Sequence, residues 1–279
     1  MPGEQQQPSE TEWAEWHAAR EEALADRSGW LTLTSFQWLP DEPGGLDLIP
    51  GLWSSSETTA AVTTDGGDGF RIDEPAPGSA QVPGQHVSGT ITARLSNGDS
   101  LMWLRHEDVV VELAMRSDRY AIRTRDADAS TLANFDGVPT FDYSPGWVLT
   151  GQFLPYPEPR HEEVASARED VTIGVMAAGE VEFEYDGGTH RLAATSSASG
   201  SLVLNFHDDT NGDTTADWRF VQIPAPDDDG TMVIDFNRTI NYPFSFTDFG
   251  ACPAPVEKNR LEFAVDAGEM APRDGGLAK

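Results

Sequence analysis

EVEFEYDGGTHRLAAT (residues 180–195) decides the fold class. Apolar and polar residues alternate through 180–185 and a second apolar run follows at 189–195, the period-two signature of half-buried strands. Asp186-Gly187-Gly188 between them tolerates positive φ and supplies a hairpin turn. Working outward, runs rich in Val, Ile, Thr and aromatics recur at 30–37, 59–64, 87–95, 101–105, 109–115, 119–124, 147–153, 171–176, 201–207, 217–223 and 231–236. Asn97-Gly98-Asp99 reads as a second hairpin turn. No second helix of comparable length precedes residue 250, and no fixed-period repeat or Gly/Ser linker appears. Leu154-Pro155-Tyr156-Pro157-Glu158-Pro159 is either a divider between subdomains or a rigid connection inside one domain. The expectation is an all-β domain over 30–270, barrel-like or two-sheet antiparallel, because closure removes the exposed edges that many strands create.

The N-terminal end reads differently. Ser9-Glu10-Thr11-Glu12 is a capping box, and Trp13, Trp16, Ala23 and Leu24 recur at helical spacing. Gly29 is expected to end the helix in the left-handed conformation. Residues 10–29 are therefore read as an amphipathic helix packed outside the β domain, with 1–9 disordered and 271–279 frayed.

The chain has 47 acidic residues against 18 Lys plus Arg, a formal net charge of −29. Such a field repels phosphate backbones and anionic lipid, which argues against nucleic-acid and membrane-surface partners. The acids run from Glu4 to Asp274, the pattern of a solubilising surface suited to concentrated salt, a halophilic trait; an acidic partner surface is the other account. No run approaches the ~18 apolar residues of a membrane span, and MPGEQQQPSE lacks a basic leader, so a cytoplasmic location is expected. Cys252 is the one cysteine, so no internal disulfide forms.

The least generic stretch runs from Asp235 to Glu269. Its asparagines and arginines must satisfy an irregular backbone set among aromatics, or else line a pocket. Asp235-Phe236-Asn237-Arg238, Asn241 with Pro243, Cys252-Pro253, Asn259-Arg260-Leu261 and Ala267-Gly268-Glu269 resemble the C-terminal signature of the domain-of-unknown-function family 1684. The resemblance continues upstream through Phe206, Asp208, Thr210, Gly212, Thr215 and Arg219-Phe220, through Arg123–Asp126 and Phe135–Pro139, and through Gly29-Trp30-Leu31 and Trp38-Leu39. Two departures stand out: Ser245 where the family often has a second cysteine, and Ala216 where it often has an aromatic. The family implies no settled activity.

Chemical motifs are sparse. Asp209, Asn211, Asp213 and Asp217 fit four positions of a calcium loop, but Thr214 and Phe220 stand where glycine and a bidentate carboxylate are required. His207 with Asp208 and Asp209 is a weak candidate for a divalent metal, and no cofactor is expected. There is no GxSxG elbow, and the serine-rich 195–200 reads as a turn. Gly66–Gly69 lacks the rest of a phosphate loop, and Cys252 reads as a buried thiol. What remains is Asp208, Thr210, Arg219, Asp235, Asn237, Arg238, Asn241, Asn259, Arg260 and Glu269. These are expected at one rim of the β scaffold, as the mouth of a small-molecule-binding barrel for a polar or anionic ligand. The alternatives are a hydrolase or acid–base enzyme using Asp208 or Asp235 with an arginine, and an assembly protein with an exposed apolar patch.

Overall fold

Of the described residues, 9–24 and those after Asn134 build one compact unit, and residues 25–134 build another. A computed structural model of the chain describes residues 9–196 and 200–272. The expected loose ends, apart from Ser9, Ala271 and Pro272, and positions 197–199 of the serine-rich turn lie outside the described residues.

The unit of residues 25–134 is built mainly of strands, with single helical turns at Trp30–Thr32 and Ser130–Ala133. β1 (Leu33–Trp38), β2 (Leu52–Ser56), β3 (Thr59–Thr64), β4 (Phe70–Ile72), β5 (Gly89–Ala93), β6 (Ser100–His106), β7 (Val109–Arg116) and β8 (Arg119–Arg125) are joined in two antiparallel sheets. These run in the orders β1-β8-β7-β6-β4 and β2-β3-β5. Trp53, Phe70 and Trp103 meet edge to face in their shared core. Asn97–Asp99 is not a hairpin turn, as the sequence suggested. Strands β5 and β6 on its flanks belong to different sheets, and the segment packs beside the β7–β8 turn, with Gly98 N donating to the Met115 carbonyl.

The other unit contains α1 (Glu10–Leu24) and a seven-stranded antiparallel sheet. Its strands are β9 (Val148–Ala165), β10 (Thr172–Tyr185), β11 (Gly188–Ser196), β12 (Leu202–Phe206), β13 (Arg219–Ile223), β14 (Thr231–Asp235) and β15 (Ile240–Asn241), in the order β14-β9-β10-β11-β12-β13-β15. The β10–β11 hairpin turns on Asp186 and Gly187, both at positive φ, as the opening stretch implied. The Pro-rich stretch does not divide subdomains, and within its unit it is not a connection but part of a strand, β9. Prolines have no N–H to give, so the ladder to β10 skips from Pro155 to Arg160, and on the β14 side it ends at Gln152. Gly179 opposite is required, because a Cβ there would stand 2.5 Å from the Leu154 carbonyl oxygen.

The all-β class holds, but there is no closed barrel: the sheet ends at β14 and β15 with no ladder between them. Its open side is filled by the C-terminal segment, which places Leu261, Val265 and Ala267 in the core with Phe183, Phe206 and Phe236.

The helix is shorter and less amphipathic than expected. The capping box forms, with Ser9 N donating to Glu12 Oε2 and Glu12 N to Ser9 Oγ. Leu24 is the one buried residue of α1, so polar contacts rather than an apolar stripe dock it. Gly29 does not end it in the left-handed region: its φ is −74°, and the helix has already stopped at Leu24. Among the described residues no helix is long and apolar enough to cross a membrane.

Candidate functional site

Antiparallel pairing of β12 and β13 sets Phe206 opposite Arg219, and the chain leaving β12 delivers Asp208 to the same place. There the Arg219 guanidinium, fully buried, donates to Asp208 Oδ2 at 2.9 Å and to the carbonyls of Val265, Ala267 and Glu269 at 2.7–2.9 Å. The 265–269 segment is turned there, with Ala267 N on the Val265 carbonyl and Gly268 at positive φ, so that three of its carbonyls face one fork of N–H donors. Burial lowers the guanidinium pKa from its ordinary value, and the Asp208 charge opposes that shift. Thr210 closes the knot, giving its hydroxyl and backbone N–H to Asp208 Oδ1.

Glu269 extends this lattice to α1. Its carboxylate accepts from Arg20 Nε at 3.1 Å and from Asn241 N at 2.6 Å, and Arg20 also donates to the Asn241 carbonyl. Burial raises the Glu269 pKa, with Arg20 pulling the other way. Asn241 completes the contact by donating Nδ2 to the Met270 carbonyl.

A second group forms around Asp235, which caps the turn after β14. Its Oδ1 accepts from Asn237 N and Nδ2, and Oδ2 lies 3.3 Å from Arg238 Nε. Burial raises the Asp235 carboxyl above its usual value. The Asn237 amide exchanges hydrogen bonds with the backbone of Ser144, and its carbonyl accepts from Trp13 Nε1 at 2.7 Å. The Arg238 guanidinium stands over the Trp16 ring. Thus α1 touches both groups, through Trp13 and Trp16 at one end and Arg20 at the other.

Asn259 acts alone. The β11–β12 ladder stops at Thr195 and Val203, and the Asn259 amide continues it: Oδ1 accepts from Ala193 N while Nδ2 donates to the Ala193 and Asn205 carbonyls. One side chain stands in for a missing strand pair. Arg260 is exposed. Of the sequence-derived set, Asp208, Thr210, Arg219, Asn241 and Glu269 therefore share one lattice. Asp235, Asn237 and Arg238 share another, and Asn259 and Arg260 belong to neither.

The histidine–aspartate group is divided among other partners. His207 Nδ1 is 2.9 Å from the Asp217 carbonyl, Asp208 is held by Arg219, and Asp209 is exposed. The Asn211 amide bonds within the turn, to Asp208 N and Thr215 Oγ1. Among the described residues no three His, Cys, Asp or Glu side chains converge on a metal position.

The two sequence-selected segments also border an open groove of about 1110 Å³. Gly212–Asp217 of the β12–β13 connection form one wall and Phe244–Gly250 another; Ala167–Asp170, from the β9–β10 turn, and Ala271-Pro272 complete it. Ser245 in this wall is 5 % exposed, and its hydroxyl is buried without a hydrogen-bond partner. Sequence reasoning missed the β9–β10 turn, which carries no motif. It also missed Arg20, although Arg20 follows Trp16 by four positions and so shares its helix face.

No curated protein matches the chain. Among solved structures, it is similar to the solution NMR structure of an uncharacterized protein from Haloarcula marismortui, at 29% identity. That match covers 50% of this chain and 78% of the other, with a TM-score of 0.42. Residues 133–270 match the model of the family described as Protein of unknown function (DUF1684).

Proposed function

We propose that the protein binds a small molecule in the groove between the β12–β13 connection and the 244–250 loop. The observation that carries this reading is the open concavity of about 1110 Å³ itself, bordered by parts of both polar segments. In this reading the Asp208–Arg219–Glu269 lattice holds the groove walls in place, while the loop tips are free to meet the ligand. Native mass spectrometry of the purified chain tests it. The expected result is a bound mass that is lost in Ala216→Trp, which fills the groove, while the unfolding transition is preserved. A bound mass retained in that variant would place the ligand elsewhere. A chain that carries no mass, and that no compound of a broad panel stabilises thermally, would end the proposal.

A second reading, an acid–base or hydrolytic enzyme, draws on Asp235, whose raised carboxyl stands 3.3 Å from Arg238 Nε. It requires that Asp235→Asn abolish turnover of whatever substrate is found. The dispersed acidity and lone buried thiol favour a cytoplasmic, salt-adapted protein. The chain is expected to gain thermal stability between low and molar salt, as screening relieves its net charge.

A further inference from the structure

We infer that the outer face of the β2-β3-β5 sheet pairs with the same face of a second copy of the chain, independently of what the groove binds. Along these strands alternate side chains turn inward, and Trp53, Ala60, Val62 and Ala93 are buried in the core of their unit. The ladders align the outward ones in two cross-strand rows, Leu52–Thr63–Thr90 and Ser54–Ala61–Thr92. Leu52 is 50% exposed, and Thr63, Thr90 and Thr92 are exposed beside it. The three strands contain no Asp, Glu, His, Lys or Arg. The other two sheets carry both arginine and glutamate, as in β7 and β9.

The charge of the chain says what covers this face. At a net −29, two copies repel wherever carboxylates must be brought together and dehydrated. On this face none is. A cationic partner gains more from acidic surface than from these strands, so the face suits an uncharged counterpart, and a second copy supplies one. It is also self-complementary. Each Ser or Thr hydroxyl both donates and accepts, so a two-fold axis sets row against row with donors and acceptors on both sides. The Thr63 and Thr90 hydroxyls lie 2.8 Å apart; one donates to the other, which leaves the second O–H to point outward. Leu52 and Ala61 add the apolar contact. Three strands about 4.8 Å apart make a face narrower than a standard interface, so the pair is weak and forms at high protein concentration.

The test is sedimentation velocity and amide NMR of the full chain in about 0.1 M and about 1 M KCl, where charges are screened beyond about 10 Å and about 3 Å. The association constant is expected to rise at least about tenfold in the higher salt, as repulsion between the acidic remainders fades. Dilution from about 1 mM should move resonances of 52–54, 61–63 and 90–92. Ala61→Glu sets a carboxylate in the middle row and should weaken association in molar salt at least about tenfold. Ala18→Glu adds the same charge to an exposed position of α1 and should leave association unchanged. Thermal unfolding checks both folds, and Thr90→Glu, at an exposed position of an edge strand, gives the same reading if Ala61→Glu does not fold. A chain that stays monomeric at about 1 mM in molar salt would overturn the pairing. So would dilution shifts that map to other surfaces, or an equal loss of association in Ala18→Glu.

Discussion

The β12–β13 connection contributes to two places that share a vocabulary and differ in grammar. At its base, Asp208, Thr210 and Arg219 turn inward, and acceptors surround the guanidinium's terminal nitrogens. At its tip, Asp213 and Asp217 reach an open groove. The base is a buried network in which the terminal guanidinium nitrogens and Asp208 are met while Arg219 Nε and Asn241 Oδ1 have no partner; the tip is open to solvent. Residue type alone separates neither, since both contain aspartate, threonine and an arginine. What separates them is burial: the first is enclosed among the strands and the second is open to solvent.

The sharpest way to break this division is Arg219→Met. It removes the cation from a buried ion pair and leaves three carbonyls unpaired, so equilibrium unfolding should show a loss of ~3–5 kcal/mol. Arg219→Lys should recover little, because an ammonium cannot present a planar fork to three carbonyls and a carboxylate at once. A loss below ~1 kcal/mol would mean that the lattice is not what holds the C-terminal segment to the sheet.

Much of this lattice was legible in the sequence as composition but not as geometry. Short alternating runs bounded by Asp-Gly and Asn-Gly identified most strands, because side-chain period reports burial directly. Strands β2, β4 and β15 were missed: each is short, and its place is set by tertiary pairing rather than by local preference. The barrel inference failed because closure depends on whether the two edge strands reach each other, a property of accumulated twist that no local pattern encodes. The meeting of 206–220 with 235–269 was foreseen from polar groups in an apolar setting, and Asp209 N to the Phe263 carbonyl and Leu261 N to the His207 carbonyl are its ladder. Which of those polar groups would point inward was not foreseeable.

Next in size is Asn259→Leu. The leucine is nearly isosteric but cannot continue the β11–β12 ladder, so Ala193 loses both backbone partners. Denaturation should show a loss of ~2–3 kcal/mol, and hydrogen exchange should rise locally at Ala193.

Glu269 then sharpens the electrostatic side of the comparison. Burial raises its carboxyl, so between the ordinary glutamate value and the raised one the folded chain keeps a proton that the unfolded chain has released. Its contribution is therefore fully present below the ordinary carboxylate range and declines as pH rises through the raised value. Glu12 works in the opposite sense, because Ser9 holds its carboxyl low in the capping box. Only a difference between variants isolates Glu269: relative to Glu269→Gln, the wild-type chain should lose stability as pH rises from the acid side toward neutrality. A difference independent of pH would show that Glu269 titrates alike in the folded and unfolded chains.

The smallest expected effect is the one that most cleanly separates tip from base. Asp217→Asn with Asp248→Asn changes two exposed carboxylates in the groove wall, and neither side chain braces the lattice. Stability in molar salt should therefore move by no more than ~0.5 kcal/mol, and at low salt it should rise slightly as like charges are removed. A large loss of stability from this pair would mean that the tip is held by its own acids, and the contrast between a buried base and an open tip would collapse.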